Sequence, residues 1–166
     1  GDIFDGSTVV DAKVADAFVA KLADKAASLP LGDPRQGPVV LGSVVDMATV
    51  GRCNALIDDA LAKGAKLVPG GRPTTTLMPA TLVHHVTRDM KIYHEETFAP
   101  VKAIVRVDGE EEAVRVANDN EFGLSAAVFS RDVARAMNVA RRIGSGICHV
   151  NGPTVHDEAQ MPFGGV

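Results

Sequence analysis

Val101-Lys102-Ala103-Ile104-Val105-Arg106-Val107-Asp108-Gly109-Glu110-Glu111-Glu112 decides how the rest of the chain is read. Val101, Ala103, Val105 and Val107 recur every second residue, the period that lines up one face of a β-strand. Asp108 then stands at a helix N-cap position with Glu111 three residues on, the spacing of a capping box. The theme repeats downstream. Leu124 to Phe129 reads as a strand, Ser130 as a cap, and Val133, Met137 and Ala140 as the apolar face of a helix ending at Gly144. Ile147 to Val150 follows as the next strand. Two consecutive strand–helix–strand units with short links predict an α/β fold with a parallel sheet and right-handed crossovers.

The N-terminal side fits the same class. Ser7 to Val10 is a short β-branched run, and Asp11 caps a helix with Val14, Phe18 and Leu22 along one face. That helix should stop near Leu29, before Pro30 and the turn chemistry of Gly32-Asp33-Pro34. Residues 30–43 hold three of the nine prolines and read as an extended connection. Asp46 caps a second helix, with Val50, Cys53, Ile57 and Leu61 at helical spacing and Gly64 as its stop. Lys66 to Pro69 and Thr81 to Val83 complete the expected strands.

Composition narrows the function classes. A length of 166 residues suits one domain with a real core. With 4% aromatics and no Trp, that core must rest on Val, Ala, Leu and Ile. The net charge is -4 with no basic run, so the phosphate-neutralising face of a nucleic-acid binder is not predicted. No stretch approaches the roughly 18 apolar residues of a membrane span, and no signal peptide is read. Cys53 and Cys148 lie far apart, outside any paired spacing, which points to a reducing, cytoplasmic setting.

Glu95-Glu96-Thr97-Phe98-Ala99-Pro100-Val101 resembles the Glu-Glu-x-Phe-Gly-Pro-Val motif of aldehyde dehydrogenases. Upstream, Gly64-Ala65-Lys66 and Gly70-Gly71 keep the family's order. Downstream, so do Ala117-Asn118-Asp119, Phe122-Gly123-Leu124-Ser125, Gly146-Ile147-Cys148-His149-Val150-Asn151 and Met161-Pro162-Phe163-Gly164-Gly165. The segment from Asn151 to Gln160 is similar to the branch acting on salicylaldehyde and benzaldehyde. The resemblance implies a parallel-sheet, Rossmann-like catalytic domain spanning residues 1–166. It also implies a longer parent enzyme, a homodimer or homotetramer, whose NAD-binding and oligomerisation parts lie outside this chain. Residues 1–6 depart from the family pattern: aligned on Gly1, Phe4 stands at the position of the nucleophilic Cys. No catalytic residue is therefore assigned, and this segment by itself is expected to be inactive.

Aldehyde oxidation in the family implies a thiolate nucleophile, an oxyanion hole, hydride transfer to NAD or NADP, and a carboxylate that activates water. Here the resemblance reaches only positioning residues. Glu96 is implied to accept hydrogen bonds from the nicotinamide ribose hydroxyls, a task suited to a two-oxygen acceptor; its plain alternative is a surface carboxylate. Phe98 is implied to back the nicotinamide ring, against the alternative of a core Phe. Ala99 replaces the usual Gly, so the backbone there must avoid positive φ. Arg52 falls where the family tends to place a basic residue near the cofactor; the alternative is an exposed helical Arg.

Thr154, His156 and Phe163 lie on the loop implied to line the aldehyde channel, where an aromatic substrate needs a flat apolar slot with a few polar groups. Asn151 is expected to brace that loop through side-chain-to-backbone bonds. His156 reads equally as a surface histidine. His84, His85, His94 and Glu95 invite a metal reading, but His84 and His85 should point apart on an extended segment and no helical i, i+4 pair exists, so no metal site is assigned. Cys53 and Cys148 read as small buried hydrophobes. The leading reading is thus part of an NAD(P)-dependent oxidoreductase for an aromatic aldehyde. The alternatives are an aliphatic or semialdehyde dehydrogenase and a non-catalytic module that is structural or binds a partner.

Overall fold

The chain divides into two compact units, Gly1–Val107 and Asp108–Val166, and the computed structural model describes residues 6–155 and 158–166. In the first unit, β1 (Thr8–Asp11), α1 (Ala12–Ala27), α2 (Met47–Ala62), β2 (Lys66–Leu67), β3 (Thr81–His84) and β4 (Val101–Val107) follow in order. The strands form one sheet ordered β1-β4-β3-β2. β4 is parallel to both neighbours, with Thr8 opposite Ile104 and Thr81 opposite Val101. As a central parallel strand should, it is buried on both faces, Val101, Ala103, Val105 and Val107 on one and Ile104 on the other. β2 is shorter than the expected run and pairs antiparallel at the edge, Lys66 opposite His84.

Both N-terminal caps form where the sequence places them. Asp11 accepts from the Lys13 N–H at 2.9 Å, and Asp46 from the Thr49 N–H at 2.8 Å. The inward face of α1 differs from expectation. Val14 is 57% and Phe18 38% exposed, while Ala15, Val19, Ala23 and Ala26 are buried with Leu22 at their edge. These small side chains let α1 lie close over Val10, Leu82 and Ile104. Fit at interior packing density, rather than hydrophobicity, selects the face. On α2, Val50, Cys53 and Ile57 are buried as expected. Leu56 and Ala60 complete that face in place of the exposed Leu61. Gly64, at φ +100°, follows the C-cap residue Lys63.

The second unit holds α3 (Glu110–Ala117), β5 (Ser125–Val128), α4 (Val133–Ala140) and β6 (Ile147–Val150). β5 and β6 pair in parallel, Ser125 opposite Ile147, so the β5-α4-β6 unit forms as read. β4 and β5 do not share a sheet, so the preceding β4-α3-β5 passage does not form the second unit that was expected. Two caps also move. Gly109, at φ +85°, holds the N-cap position of α3 with no side-chain bond. The Asp108 N–H instead donates to Glu112 Oε2 at 2.7 Å. Asp132, not Ser130, caps α4 through the Arg135 N–H at 3.0 Å, while Ser130 Oγ accepts from the Asp132 N–H. Ala136 is the buried residue of α4, and Val133 and Met137 are exposed. Among the described residues, no helix is long and apolar enough to cross a membrane.

Candidate functional site

A short 3-10 helix, Lys91–Tyr93, leads into the loop of residues 94–100 in the first unit. Thr97 is buried, and its hydroxyl lies 3.2 Å from the Ala99 carbonyl and 3.3 Å from that of Val101. α2 grips the loop from its other side. Arg52 Nη1 donates to the Glu96 carbonyl at 2.5 Å and Nη2 to the Thr97 carbonyl at 2.6 Å. Cys53 Sγ donates to the same Thr97 oxygen at 3.4 Å.

The consequence appears at Phe98. With Thr97 and Ala99 both buried on either side, Phe98 takes φ +50° and is itself 54% exposed. A bulky L-residue in the left-handed region costs on the order of 1–3 kcal/mol, and the surrounding bonds must hold it there. Arg52 Cζ lies 5.9 Å from the centre of the Phe98 ring, within cation–π range. Glu96 is half-buried two residues earlier. Glu96, Phe98 and Arg52 are therefore brought together. Arg52 is half-buried and engaged with the loop backbone, unlike a free helical arginine. Ala99 keeps a negative φ, as its side chain requires, and the positive φ falls one residue earlier.

In the second unit, Asn151 follows β6 at φ +55°. Its side chain brackets Ser130, Oδ1 accepting from the Ser130 N–H at 2.9 Å and Nδ2 donating to the Ser130 carbonyl at 3.0 Å. The expected brace is thus present, though its partner is the loop after β5. Ser125 Oγ donates to the Thr154 carbonyl at 3.1 Å. Thr154 is exposed and Phe163 is 66% exposed; His156 and Phe4 lie outside the described residues. An open recess borders β6, lined by Ile147, His149, Glu158, Met161 and Pro162 among others. His149 Nε2 is buried with no hydrogen-bond partner among the described residues. Gly146 is required where the chain returns: a Cβ there would overlap the Gly164 carbonyl oxygen.

The remaining candidates have other work. His84 and His85 do not point apart. β3 ends at His84 and His85 takes φ +59°, which brings the rings to 4.6 Å. Burial is the larger cause that pushes both imidazoles below their ordinary value; the charges of His85 and Arg106 add to it at His84, and those of Arg106 and Lys66 at His85. His94 Nε2 is 2.8 Å from the Arg88 carbonyl. Cys53 is fully buried and Cys148 half-buried, and burial pushes the Cys148 thiol up.

Residues 6–166 match the aldehyde dehydrogenase family. The chain belongs to the aldehyde dehydrogenase family. It is 60% identical, over 153 residues, to a vanillin dehydrogenase from Pseudomonas sp. (strain HR199 / DSM 7063), an alignment covering 92% of this chain and 32% of that protein. Among solved aldehyde dehydrogenases, a salicylaldehyde dehydrogenase from Pseudomonas putida G7, complexed with salicylaldehyde, matches with a TM-score of 0.92 at 48% identity. That match covers 95% of this chain and 33% of that one. A succinate-semialdehyde dehydrogenase from Burkholderia pseudomallei matches with a TM-score of 0.90 at 39% identity, over 96% of this chain and 34% of that one. The chain spans about a third of the length of the curated relatives it matches. Backbone shape alone does not sort aldehyde dehydrogenases by substrate here, since the salicylaldehyde and semialdehyde enzymes superpose almost equally well. Sequence reasoning missed Thr97 and Cys53 as supports of the Phe98 turn. Cys53 acts through a contact 44 residues away, for which no local signal exists, and Thr97 through short-range bonds to Ala99 and Val101 that a lone Thr does not announce.

Proposed function

We propose that this chain is part of an NAD(P)-dependent aldehyde dehydrogenase that oxidises an aromatic aldehyde to its carboxylic acid. In that enzyme it orients the nicotinamide end of the cofactor and lines one side of the aldehyde's path. The observation that carries the reading is Phe98, held outward on strained backbone between two buried neighbours, with Glu96 beside it. The residues present fit a nicotinamide riboside. An exposed aromatic ring offers a flat apolar backing, and a carboxylate two residues away offers two acceptor oxygens for adjacent hydroxyls. When bound, the cofactor supplies acceptance of hydride. The chain's own part is to orient: Phe98 limits tilt of the ring and Glu96 fixes the ribose, so that geometry rather than bond chemistry is contributed here.

The aromatic assignment is supported by 60% identity to a vanillin dehydrogenase and 49% to a salicylaldehyde dehydrogenase of Pseudomonas putida. Thr154, His156 and Phe163 are proposed to face the substrate, and two cysteines far apart in the sequence suit a cytoplasmic enzyme. The test is a panel of kcat/KM values for the full-length protein, with NAD+ and with NADP+. Vanillin, salicylaldehyde and benzaldehyde are set against succinic semialdehyde and propanal. A preference of roughly tenfold or more for the aromatic aldehydes is expected. A preference for the semialdehyde would replace the reading with the second enzyme class.

A further inference from the structure

We infer that Arg52 is a positioning residue: its guanidinium clamps the Glu96–Phe98 turn in its strained form and thereby sets the geometry of hydride transfer. The inference rests on the reading of that turn as a nicotinamide cradle. Its basis is the use to which the guanidinium is put. One planar group reaches two successive carbonyls, those of Glu96 at 2.5 Å and Thr97 at 2.6 Å. The same group lies 5.9 Å from the centre of the Phe98 ring. A fork with fixed N–H directions can serve two adjacent carbonyl oxygens at once, and hydrogen bonds from a charged donor are stronger than neutral ones.

The clamp acts where support is needed. Phe98 holds φ +50°, a conformation its side chain disfavours. The two carbonyls fixed by Arg52 belong to the peptide units immediately before it. On the other side, Thr97 Oγ1 reaches over to the carbonyls of Ala99 and Val101. The turn is thus pinned before and after the strained residue, and Arg52 is the half of the pin that comes from another element, α2. Because α2 is anchored by Val50, Cys53, Leu56 and Ile57, all buried, the guanidinium sits on a rigid base. Arg52 is spent on backbone oxygens and the Phe98 ring of the cradle, so its effect on cofactor chemistry is exerted through Glu96 and Phe98.

The measurement uses an active full-length enzyme carrying this chain, with Arg52→Gln, Arg52→Lys and wild type compared. Three quantities are read: amide hydrogen exchange across residues 97–99, the dissociation constant of the cofactor, and the single-turnover rate of hydride transfer. Arg52→Gln should speed exchange across residues 97–99. It should slow hydride transfer by roughly tenfold or more while the dissociation constant moves less than about threefold. Arg52→Lys should recover only part of the rate, because a point ammonium cannot match both carbonyls. Millimolar guanidinium ion added to Arg52→Gln should restore rate and exchange protection together. An unchanged exchange pattern with a dissociation constant raised as much as the rate is lowered would overturn the clamp and make Arg52 a direct cofactor ligand. Unchanged exchange and rate together would also overturn it. Faster exchange with an unchanged hydride rate would uphold the clamp and overturn the cradle reading it serves.

Discussion

Asn151 and Ser130 are joined by a closed pair of bonds: the Ser130 N–H donates to Asn151 Oδ1 at 2.9 Å, and Asn151 Nδ2 donates to the Ser130 carbonyl at 3.0 Å. One side chain thereby satisfies both backbone groups of a residue 21 positions away, tying the ends of the parallel strands β5 and β6. Asn is suited to this position twice over, since it supplies both a donor and an acceptor and tolerates the left-handed φ of +55° found there.

Two substitutions separate those contributions. Asn151→Gly keeps the backbone conformation and removes both bonds. At about 1 kcal/mol for such an exposed pair, exchange of the Ser130 amide should quicken by roughly fivefold. Asn151→Ala adds the cost of a Cβ at positive φ and should exceed the Gly variant. Equal exchange in wild type and Asn151→Gly would show that the bracket contributes nothing to holding the loop.

What could be read from the chain depended on distance along it. The Asp11 and Asp46 caps were legible because the side chain meets a backbone N–H two or three residues away. β4 was legible because its alternation survives even when both faces are buried. The buried face of α1 was not, because Phe18 is more hydrophobic than Ala15 and only the closeness of the sheet excludes it. Glu96 and Phe98 could be marked by their motif. Yet nothing local announced that Phe98 would carry positive φ or that Arg52 would reach Glu96 and Thr97 across 44 and 45 residues.

Glu96→Gln in the full-length enzyme should slow hydride transfer far more than it weakens cofactor binding. Removing the charge leaves one acceptor where a carboxylate offers two, so the ribose is still held but the nicotinamide is misplaced. Small misplacements can cost on the order of 100-fold in rate. Single-turnover kinetics at saturating cofactor check this, and an unchanged rate would remove Glu96 from the cradle.

The 166-residue chain by itself should not oxidise benzaldehyde, salicylaldehyde or vanillin with either cofactor. A nucleophile here needs an accessible thiolate, and neither cysteine offers one. Cys53 is fully buried and bonded to the Thr97 carbonyl, and burial holds the Cys148 thiol protonated. Cofactor reduction above an enzyme-free blank by the wild-type chain, abolished in the Cys53→Ala, Cys148→Ala double variant, would contradict this.

Stability should fall with acid through the His84–His85 pair. Burial and the nearby Arg106 and Lys66 lower both imidazoles below their ordinary value of 6.5, with Asp16, ion-paired to Arg106, acting in the opposite sense. The unfolded chain therefore takes up protons at a higher pH than the folded one. Stability is fully present above about pH 6.5 and declines as the pH falls from there toward the folded-state values, where the loss is complete. Thermal unfolding followed from about pH 8 to about pH 5 should show the decline in wild type. It should be smaller when His84→Asn and His85→Asn are combined, Asn being able to keep the left-handed φ of residue 85. Identical slopes in the two proteins would assign the acid sensitivity elsewhere.

The substrate class rests on the loop between Asn151 and Phe163, and Phe163 is its most direct probe. The residue is 66% exposed, a large apolar surface left uncovered on the loop assigned to the aldehyde's path. If an aromatic aldehyde packs against it, Phe163→Ala in the full-length enzyme removes one wall of a slot. Burying a Phe in a core is worth several kcal/mol, and a one-sided contact with substrate should be worth a fraction of that, about 1–2 kcal/mol. That corresponds to a fall of roughly fivefold to thirtyfold in kcat/KM for vanillin or benzaldehyde. Propanal is too short to use the wall and should lose little. Each value alone can drop through general damage to the loop, so the ratio of aromatic to aliphatic kcat/KM is the deciding quantity, read alongside an unchanged melting temperature. A ratio within about twofold of wild type would mean that Phe163 does not touch the substrate ring, and the aromatic preference would then have to originate in other residues.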